Sequence, residues 1–333
     1  MKFYSMQTTA DRATLELREA AIPEPGAQQV LVQMRAASLN RGEFIIGHGL
    51  QKAGTAKAAG TEGAGEIVNC GAGVANLEIG ERVMGRCTGA FAEYALMDSR
   101  EAIPMPANLS WEEAAAIPLT FLVVYDMLVI QGKLAPNEWV LVTGVSSGVG
   151  VAALQTAKAL GAKEIGTSGS QDKLDRLTTL GLNLGWCTRT GDFCAAVMQA
   201  TDGKGVNLVV NTVGGSLFAE CVRSMAFEGR LATVGYVDGV LKSEIDIQAL
   251  HAKRLVLFGV SNKMRSAEQR ASGVSRFIAD LLPAIAAGRI RPVIDKVYPF
   301  DQLAAAKAYM ESNLHIGKIV LAMPAPTPGK KES

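Results

Sequence analysis

Residues 139–150, WVLVTGVSSGVG, constrain the fold of this chain more than any other stretch. An apolar run, Val140-Leu141-Val142, meets a glycine-rich turn, and a helix-forming segment, 151–160, follows at once. In a strand–turn–helix setting, backbone N–H groups at the helix start can hold a pyrophosphate, and small residues let it approach. The spacing departs from strict G-x-G-x-x-G, because Ser147 stands where the middle glycine would be. Gly144, Gly148 and Gly150 remain. A glycine run alone marks a loop as often as a nucleotide site; the strand before it and the helix after it favour the nucleotide.

Strand and helix signals continue to alternate after this turn. Strands are expected near 139–143, 164–168, 184–187, 207–211, 230–235 and 255–260, and helices near 148–160, 171–180, 191–200 and 215–224. Such alternation predicts an α/β domain with a six-stranded parallel sheet covered on both faces. The first 120 residues read differently. Short strand-like runs at 29–34, 65–68 and 82–84 are punctuated by Gly, Pro and Asn, which predicts a small β-barrel-like domain. Ser110 and Glu113 form a capping-box pattern, and Pro118 predicts a break in the apolar run after it. Beyond residue 260, an amphipathic helix near 275–287, a strand at 293–298, a helix at 301–312 and a strand at 318–322 are expected to return to the first domain. The expected organisation is therefore 1–122, 123–262 and 263–323, with a flexible proline-rich tail at 324–333.

Composition narrows the function. With 33 basic and 32 acidic residues, net charge is +1, so there is no basic surplus to bind nucleic acid by counterion release. No run of about 18 apolar residues suggests a membrane span. The N-terminal MKFYSMQTTADR has no apolar core, which makes a cytoplasmic protein the expectation. Five cysteines at 70, 87, 187, 194 and 221 are scattered without C-x-x-C spacing, and His48, His251 and His315 form no recognisable metal motif.

Several segments together resemble the zinc-independent quinone oxidoreductases of the medium-chain dehydrogenase/reductase superfamily. They are SLNRGEF at 38–44, GTEGAGEIV at 60–68, GERVMG at 80–85, AFAEYALM at 90–97, AAAIPLTFLVVYDML at 114–128, VLVTGVSSGVG at 140–150 and VVNTVGG at 209–215. The resemblance implies a Rossmann nucleotide-binding domain joined to a GroES-like catalytic domain. The zinc branch of the superfamily carries a cysteine ligand where this chain has Asn40 and a histidine where it has Thr61. Amide and hydroxyl oxygens are poor zinc ligands beside thiolate and imidazole, so no catalytic metal is expected. Glu62 either takes part in catalysis or only holds the local backbone.

For the cofactor, enzymes of this fold that use NAD carry an acid about 20 residues past the glycine turn. Here that place reads Thr167-Ser168-Gly169-Ser170. Ser170 and Lys173, with Arg189, suit a 2′-phosphate, so NADPH is expected; the alternative is that Lys173 is a solvated helix residue beside Asp172 and Asp175. The resemblance adds cofactor contacts at Thr120, Gly144, Ser146, Ser147, Gly148, Val149, Asn211, Val213, Val234, Gly235, Tyr236, Phe258 and Val260. It implies hydride transfer to a quinone or enone, with Asn40 as first candidate donor to the developing oxyanion. Arg41 is a second candidate, or a structural arginine; Tyr125 is a donor, a stacking surface or core.

Some enoyl-thioester reductases of the superfamily have a tyrosine proton donor a short way after the asparagine equivalent to Asn40. Here that region, HGLQK, offers Gln51 and no tyrosine. An enoyl-thioester or alcohol/ketone reductase, and a non-enzymatic NADPH-binding protein, stay open as alternatives. Relatives pair through the last strand of the nucleotide domain, and the apolar run at 255–260 leads to the expectation of a homodimer joined there.

Overall fold

In the computed structural model, which describes residues 1–8, 13–44, 56–262 and 264–324, the N-terminal part is strand-rich. Its strands are β1 (Lys2–Thr8), β2 (Ala13–Glu19), β3 (Gln29–Ser38), β4 (Ala56–Ala58), β5 (Glu62–Cys70), β6 (Arg82–Thr88) and β7 (Tyr94–Pro104). β1 lies between β2 and β4. One edge of β3 pairs with β5 from Val30↔Cys70 to Ala37↔Gly63, and the first half of its other edge pairs with β7. Because β5 pairs with β6 and β6 with β7, the ring β3–β5–β6–β7 closes on itself. Closure removes free edges within this ring, and Val30, Val32, Met34, Ile67, Val83 and Met97 are buried in its core. These strands are longer than their apolar runs suggested. Gly63 falls outside the strand-like run 65–68, but here it sits inside β5, where a Cβ would lie 2.6 Å from the Ala36 carbonyl oxygen.

Ser110 caps helix α1 (Trp111–Ala115), accepting from the Glu113 N–H at 3.2 Å while the Glu113 carboxylate accepts from the Ser110 N–H at 3.0 Å. Pro118 then begins α2 (Pro118–Tyr125), at the position where its missing N–H costs least. α2 runs into a π-helical turn over Asp126–Ile130.

Next come β8 (Trp139–Thr143), α3 (Gly148–Ala159), β9 (Lys163–Ser168), α4 (Gln171–Leu180), β10 (Leu184–Cys187) and α5 (Cys194–Ala200). β11 (Val206–Asn211), α6 (Gly215–Arg223), β12 (Met225–Thr233), α7 (Ile247–Ala252) and β13 (Val256–Gly259) follow. The six strands make one parallel sheet in the order β10-β9-β8-β11-β12-β13, the doubly wound arrangement that binds nucleotides at the carboxyl ends of its strands. Leu141, Ile165, Val209 and Leu231 are buried in its core with Phe193 of the α5 N-terminus and Cys221 of α6. β12 starts earlier than expected. Its Glu228-Gly229 pair reads as a turn, yet Glu228 takes a left-handed φ of 56° as a kink within the strand.

The last part holds α8 (Ala267–Asp280), α9 (Leu282–Ala286), β14 (Ile294–Pro299), α10 (Leu303–Glu311) and β15 (Lys318–Ala322). The single helix expected at 275–287 is two helices, broken at Leu281. Pro283 lies in the first turn of α9, where proline can start a helix but not continue one.

The chain divides into two units. One holds Met1–Leu119, Arg265–Asp280 and Ile294–Ser333; the other holds Thr120–Met264 and Leu281–Val293. The expected uninterrupted return over 263–323 is thus corrected. Residues 281–293 cluster with the nucleotide-type unit, and their apolar members Leu281, Ile285 and Ile290 are each buried. The first boundary falls between Leu119 and Thr120 rather than after residue 122. Pro324 aside, the tail lies outside the described residues. Among the described residues, no helix is long and apolar enough to cross a membrane.

Candidate active site

Strand register assembles a buried polar cluster in the first unit. β15 pairs antiparallel with β3, Val320 facing Ser38, so Lys318 at the start of β15 comes opposite Asn40 just past the end of β3. β5 pairs with β3 through Ala37↔Gly63, which brings Glu62 beside Ser38. A short 3-10 turn, Arg41–Glu43, folds Glu43 back toward the same place, its N–H donating to the Asn40 carbonyl at 3.0 Å. Thr61 precedes β5, held by Gly60 in a left-handed conformation (φ 92°), where a Cβ would lie 2.5 Å from the Phe91 nitrogen.

The Glu62 carboxylate is wholly enclosed. Its Oε1 accepts from Ser38 Oγ at 2.6 Å, Asn40 Nδ2 at 2.7 Å and Lys318 Nζ at 2.9 Å, and its Oε2 accepts from the Leu119 N–H at 2.7 Å. Lys318, also buried, donates further to Asn40 Oδ1 at 2.7 Å and to the Leu39 carbonyl at 3.1 Å. Charge-assisted bonds of this number are what a buried ion pair needs to offset its lost hydration. Glu43, buried too, accepts from Asn40 Nδ2 at 3.1 Å and from the Thr61 hydroxyl. Burial pushes its carboxyl up to about 7; hydrogen bonds from Thr61 and Asn40 oppose that rise, Glu62 adds to it and Lys318 opposes it. Of this cluster, only Asn40 and Thr61 are partly exposed.

Three of the expected catalytic residues are held by their surroundings in this geometry. Asn40 gives its amide nitrogen to both carboxyls and its oxygen to Lys318. Both its hydrogens are committed, so it clamps the cluster instead of offering a donor outward. Arg41 donates through Nη2 to the Met310 carbonyl and to Asn313 Oδ1, each at 2.7 Å. A cation there complements the carboxyl end of α10, and burial lowers the guanidinium's pKa. Tyr125 is 1% exposed, in keeping with the core reading among those the sequence left open. Gln51 and His48 lie outside the described residues.

In the second unit the expected cofactor residues follow the carboxyl ends of the parallel strands. Gly144, Ser146, Ser147, Gly148 and Val149 are partly exposed after β8, and Ser147 caps α3 by accepting from the Gly150 N–H at 3.1 Å. β9 ends at Ser168, and the residues that follow it directly, Gly169 and Ser170, carry no acid. Ser170 caps α4, Lys173 lies in that helix's first turn, and the Arg189 side chain covers Gly169, where a Cβ would lie 2.8 Å from its guanidinium carbon. Val213, Val234, Gly235, Tyr236, Phe258 and Val260 follow β11, β12 and β13 or, for Phe258, lie within β13; Val260 is buried.

The Asn211 side chain braces the turn after β11. It is fully buried, its Oδ1 accepting from Thr143 Oγ1 and from the N–H groups of Val213 and Gly214, its Nδ2 donating to the Gly214 carbonyl. Thr120 is enclosed as well.

Two family models match the chain: an alcohol dehydrogenase GroES-like domain over residues 26–107 and a zinc-binding dehydrogenase over residues 187–321. The Escherichia coli quinone oxidoreductase complexed with NADPH has a similar fold, with a TM-score of 0.86 at 26% identity over 97% of this chain and 100% of that one. The chain belongs to the quinone oxidoreductase-like medium-chain dehydrogenase/reductases. CurK enoyl reductase is also similar, with a TM-score of 0.84 at 26% identity over 96% of this chain and 99% of that one. NorB, a protein of the spectinabilin polyketide synthase system of Streptomyces orinoci, is 32% identical over 320 residues, 95% of this chain. The chain spans only 14% of NorB, and a similarly small part of the other polyketide synthases it matches.

The zinc named in one matching family description does not fit this member of the medium-chain dehydrogenase/reductases. At the two positions where the zinc branch has its ligands, Asn40 and Thr61 are bound to their own neighbours, and Asn40 Oδ1 already faces the Lys318 ammonium. A divalent cation there would meet a fixed positive charge. Among the described residues, no group of three or more His, Cys, Asp or Glu side chains is arranged to hold a metal.

Proposed function

We propose that this chain is an NADPH-dependent oxidoreductase that reduces quinones or α,β-unsaturated carbonyls without catalytic zinc. The observation that carries this reading is the Lys318–Glu62–Asn40 cluster where the zinc branch holds its metal. A simple ketone concentrates the developing charge on one oxygen and calls for a strong electrophile there, a Lewis acid or a proton donor, whereas a conjugated acceptor spreads that charge and can be served by neutral donors.

The glycine turn after β8 holds the pyrophosphate of NADPH on this reading, with Ser170, Lys173 and Arg189 taking the 2′-phosphate. The NADPH-bound Escherichia coli relative supports the choice of cofactor. When bound, NADPH supplies the hydride; the protein supplies orientation and charge stabilisation. NADPH is expected to bind at least about tenfold tighter than NADH, because a charge-assisted contact is worth roughly 1.5–3 kcal/mol. Titration of both cofactors against the parent and Lys173→Ala checks this. Equal affinities in the parent, or a ratio untouched by the substitution, would count against the phosphate site.

A second reading, an enoyl-thioester reductase, is favoured by the likeness to NorB and to CurK enoyl reductase. NADPH oxidation measured with a quinone, a free enone and an enoyl thioester separates the two. A preference for the thioester by more than about tenfold, or 1.4 kcal/mol, would move the assignment to the second reading. The first reading also pairs two copies through β13, which forms the edge of the parallel sheet and leaves Val256 52% exposed; sedimentation at micromolar concentration reports that state directly.

A further inference from the structure

The cluster in the first unit contains a second buried carboxyl beside its ion pair. Glu62 and Lys318 already form a complete ion pair, with Ser38, Asn40 and the Leu119 N–H satisfying the carboxylate. Glu43 is a second buried carboxyl brought to the same place, and Asn40 Nδ2 touches both acids. Two buried carboxylates so close to one ammonium are costly together, and a proton on one of them relieves the cost. The proton belongs on Glu43, since the direct contact with the ammonium is made by Glu62.

The way out of the cluster is also defined. Asn40 and Thr61 are its partly exposed members. An amide whose hydrogens are both engaged cannot pass a proton on, but a hydroxyl can accept one and release another. Thr61 Oγ1 is hydrogen-bonded directly to Glu43 Oε1. The hydroxyl donates to the ionised carboxyl; on protonation the bond reverses, the Glu43 O–H donating to Thr61 Oγ1 and freeing the hydroxyl proton.

We infer that Glu43 is the proton store of the reaction and that the Thr61 hydroxyl relays its proton to the acceptor. The inference rests on the reductase reading above and supplies the proton which that reading requires. Once the acceptor has gained its hydride, the two electrons are in place and its oxygen carries the negative charge. That oxyanion takes the hydroxyl proton of Thr61 as the hydroxyl takes the carboxyl proton of Glu43. The product leaves as hydroquinone, or as an enol that relaxes to the ketone in water. Glu43, now ionised, regains a proton from water. Around Glu43 the charged groups among the described residues are Glu62 on β5, which favours the protonated form, and Lys318 on β15, which opposes it. The balance sets the carboxyl at about 7, where a group can both give and recover a proton near neutral pH.

Two measurements test this. In the cofactor-free protein, infrared difference spectra should show a neutral carboxyl band that disappears as pH rises through about 7, and Glu43→Gln should lack that change. In turnover with saturating NADPH, the rate of the parent should fall as pH rises through the same range. Glu43→Gln, isosteric and neutral, should lose at least about tenfold and show no such limb; Thr61→Val should lose a similar amount, and Thr61→Ser should recover most of it. A parent without the titrating band, or Glu43→Gln with an unchanged rate and pH profile, overturns the proton store. Thr61→Val with parental turnover overturns the relay. A parent inert towards quinone, enone and thioester refutes the reductase reading instead, and the infrared difference then decides by itself whether Glu43 stores a proton.

Discussion

Replacing Lys318 with methionine is expected to destabilise the protein by about 3–5 kcal/mol, the usual cost of leaving a buried charge without its partner. Glu62 has no exposure to water and gives Oε1 to the Lys318 ammonium at 2.9 Å. With the ammonium gone, that carboxylate must stay charged in a closed site or take up a proton, and either is costly. The same change also strips a donor from the Leu39 carbonyl and from Asn40 Oδ1. Adding Glu62→Gln should return part of the loss, because the neutral amide oxygen can still accept from Ser38 and Asn40, although its nitrogen then faces the Leu119 N–H. Denaturant unfolding of the two variants and the parent measures both effects. A loss below about 1 kcal/mol for Lys318→Met, the range of an exposed ion pair, would show that the pair is not buried as described.

Asn40→Ala is the second large effect, expected on rate. Turnover should fall on the order of 10²-fold, near the lower end of what losing one positioned donor costs. The cause differs from a lost contact to substrate, since the amide hydrogens go to Glu43 and Glu62. Removing the side chain releases both carboxyls from their clamp. It also removes a hydrogen bond that holds the Glu43 carboxyl down, so the pH limb of turnover should move upward from its parental position near 7. A purely structural asparagine would lower the rate without moving the limb. Turnover within twofold of the parent at every pH would remove Asn40 from the account.

The contrast between the two units shows what a sequence of this kind makes legible. In the parallel-sheet unit, signals are local: an apolar strand, a glycine turn and a helix follow one another within residues 139–159, and each following strand end is short and punctuated. The missing acid after Ser168 could be read directly. In the first unit, Asn40, Thr61 and Glu62 are prominent because their types differ from those of a zinc site, but Lys318 is 278 residues from Asn40. Only the antiparallel register of β15 on β3 brings them together, and register is not written in composition or periodicity. Glu43 escaped for another reason. In an exposed turn a glutamate after Arg41-Gly42 would be solvated, and its burial depends on the 3-10 turn folding it inward.

The same distinction applies to Asn211 and Arg41. Asn211 follows a strand end where ligands bind, yet a polar side chain in such a turn also serves the N–H groups around it, and here it is fully occupied by Gly214, Val213 and Thr143. Arg41 stands next to Asn40 in the chain but points to the carboxyl end of α10. Neighbours in sequence share a strand end here without sharing a function.

The most direct test of the central claim uses NADPH deuterated at its transferable position, with a simple enone as acceptor and a strong zinc chelator present. The account predicts deuterium on the conjugated carbon of the saturated ketone, at a rate the chelator leaves unchanged, because Lys318, and not a metal, stands beside Asn40 and Glu62. Turnover abolished by the chelator, or deuterium found only in alcohols formed from unconjugated ketones, would contradict it.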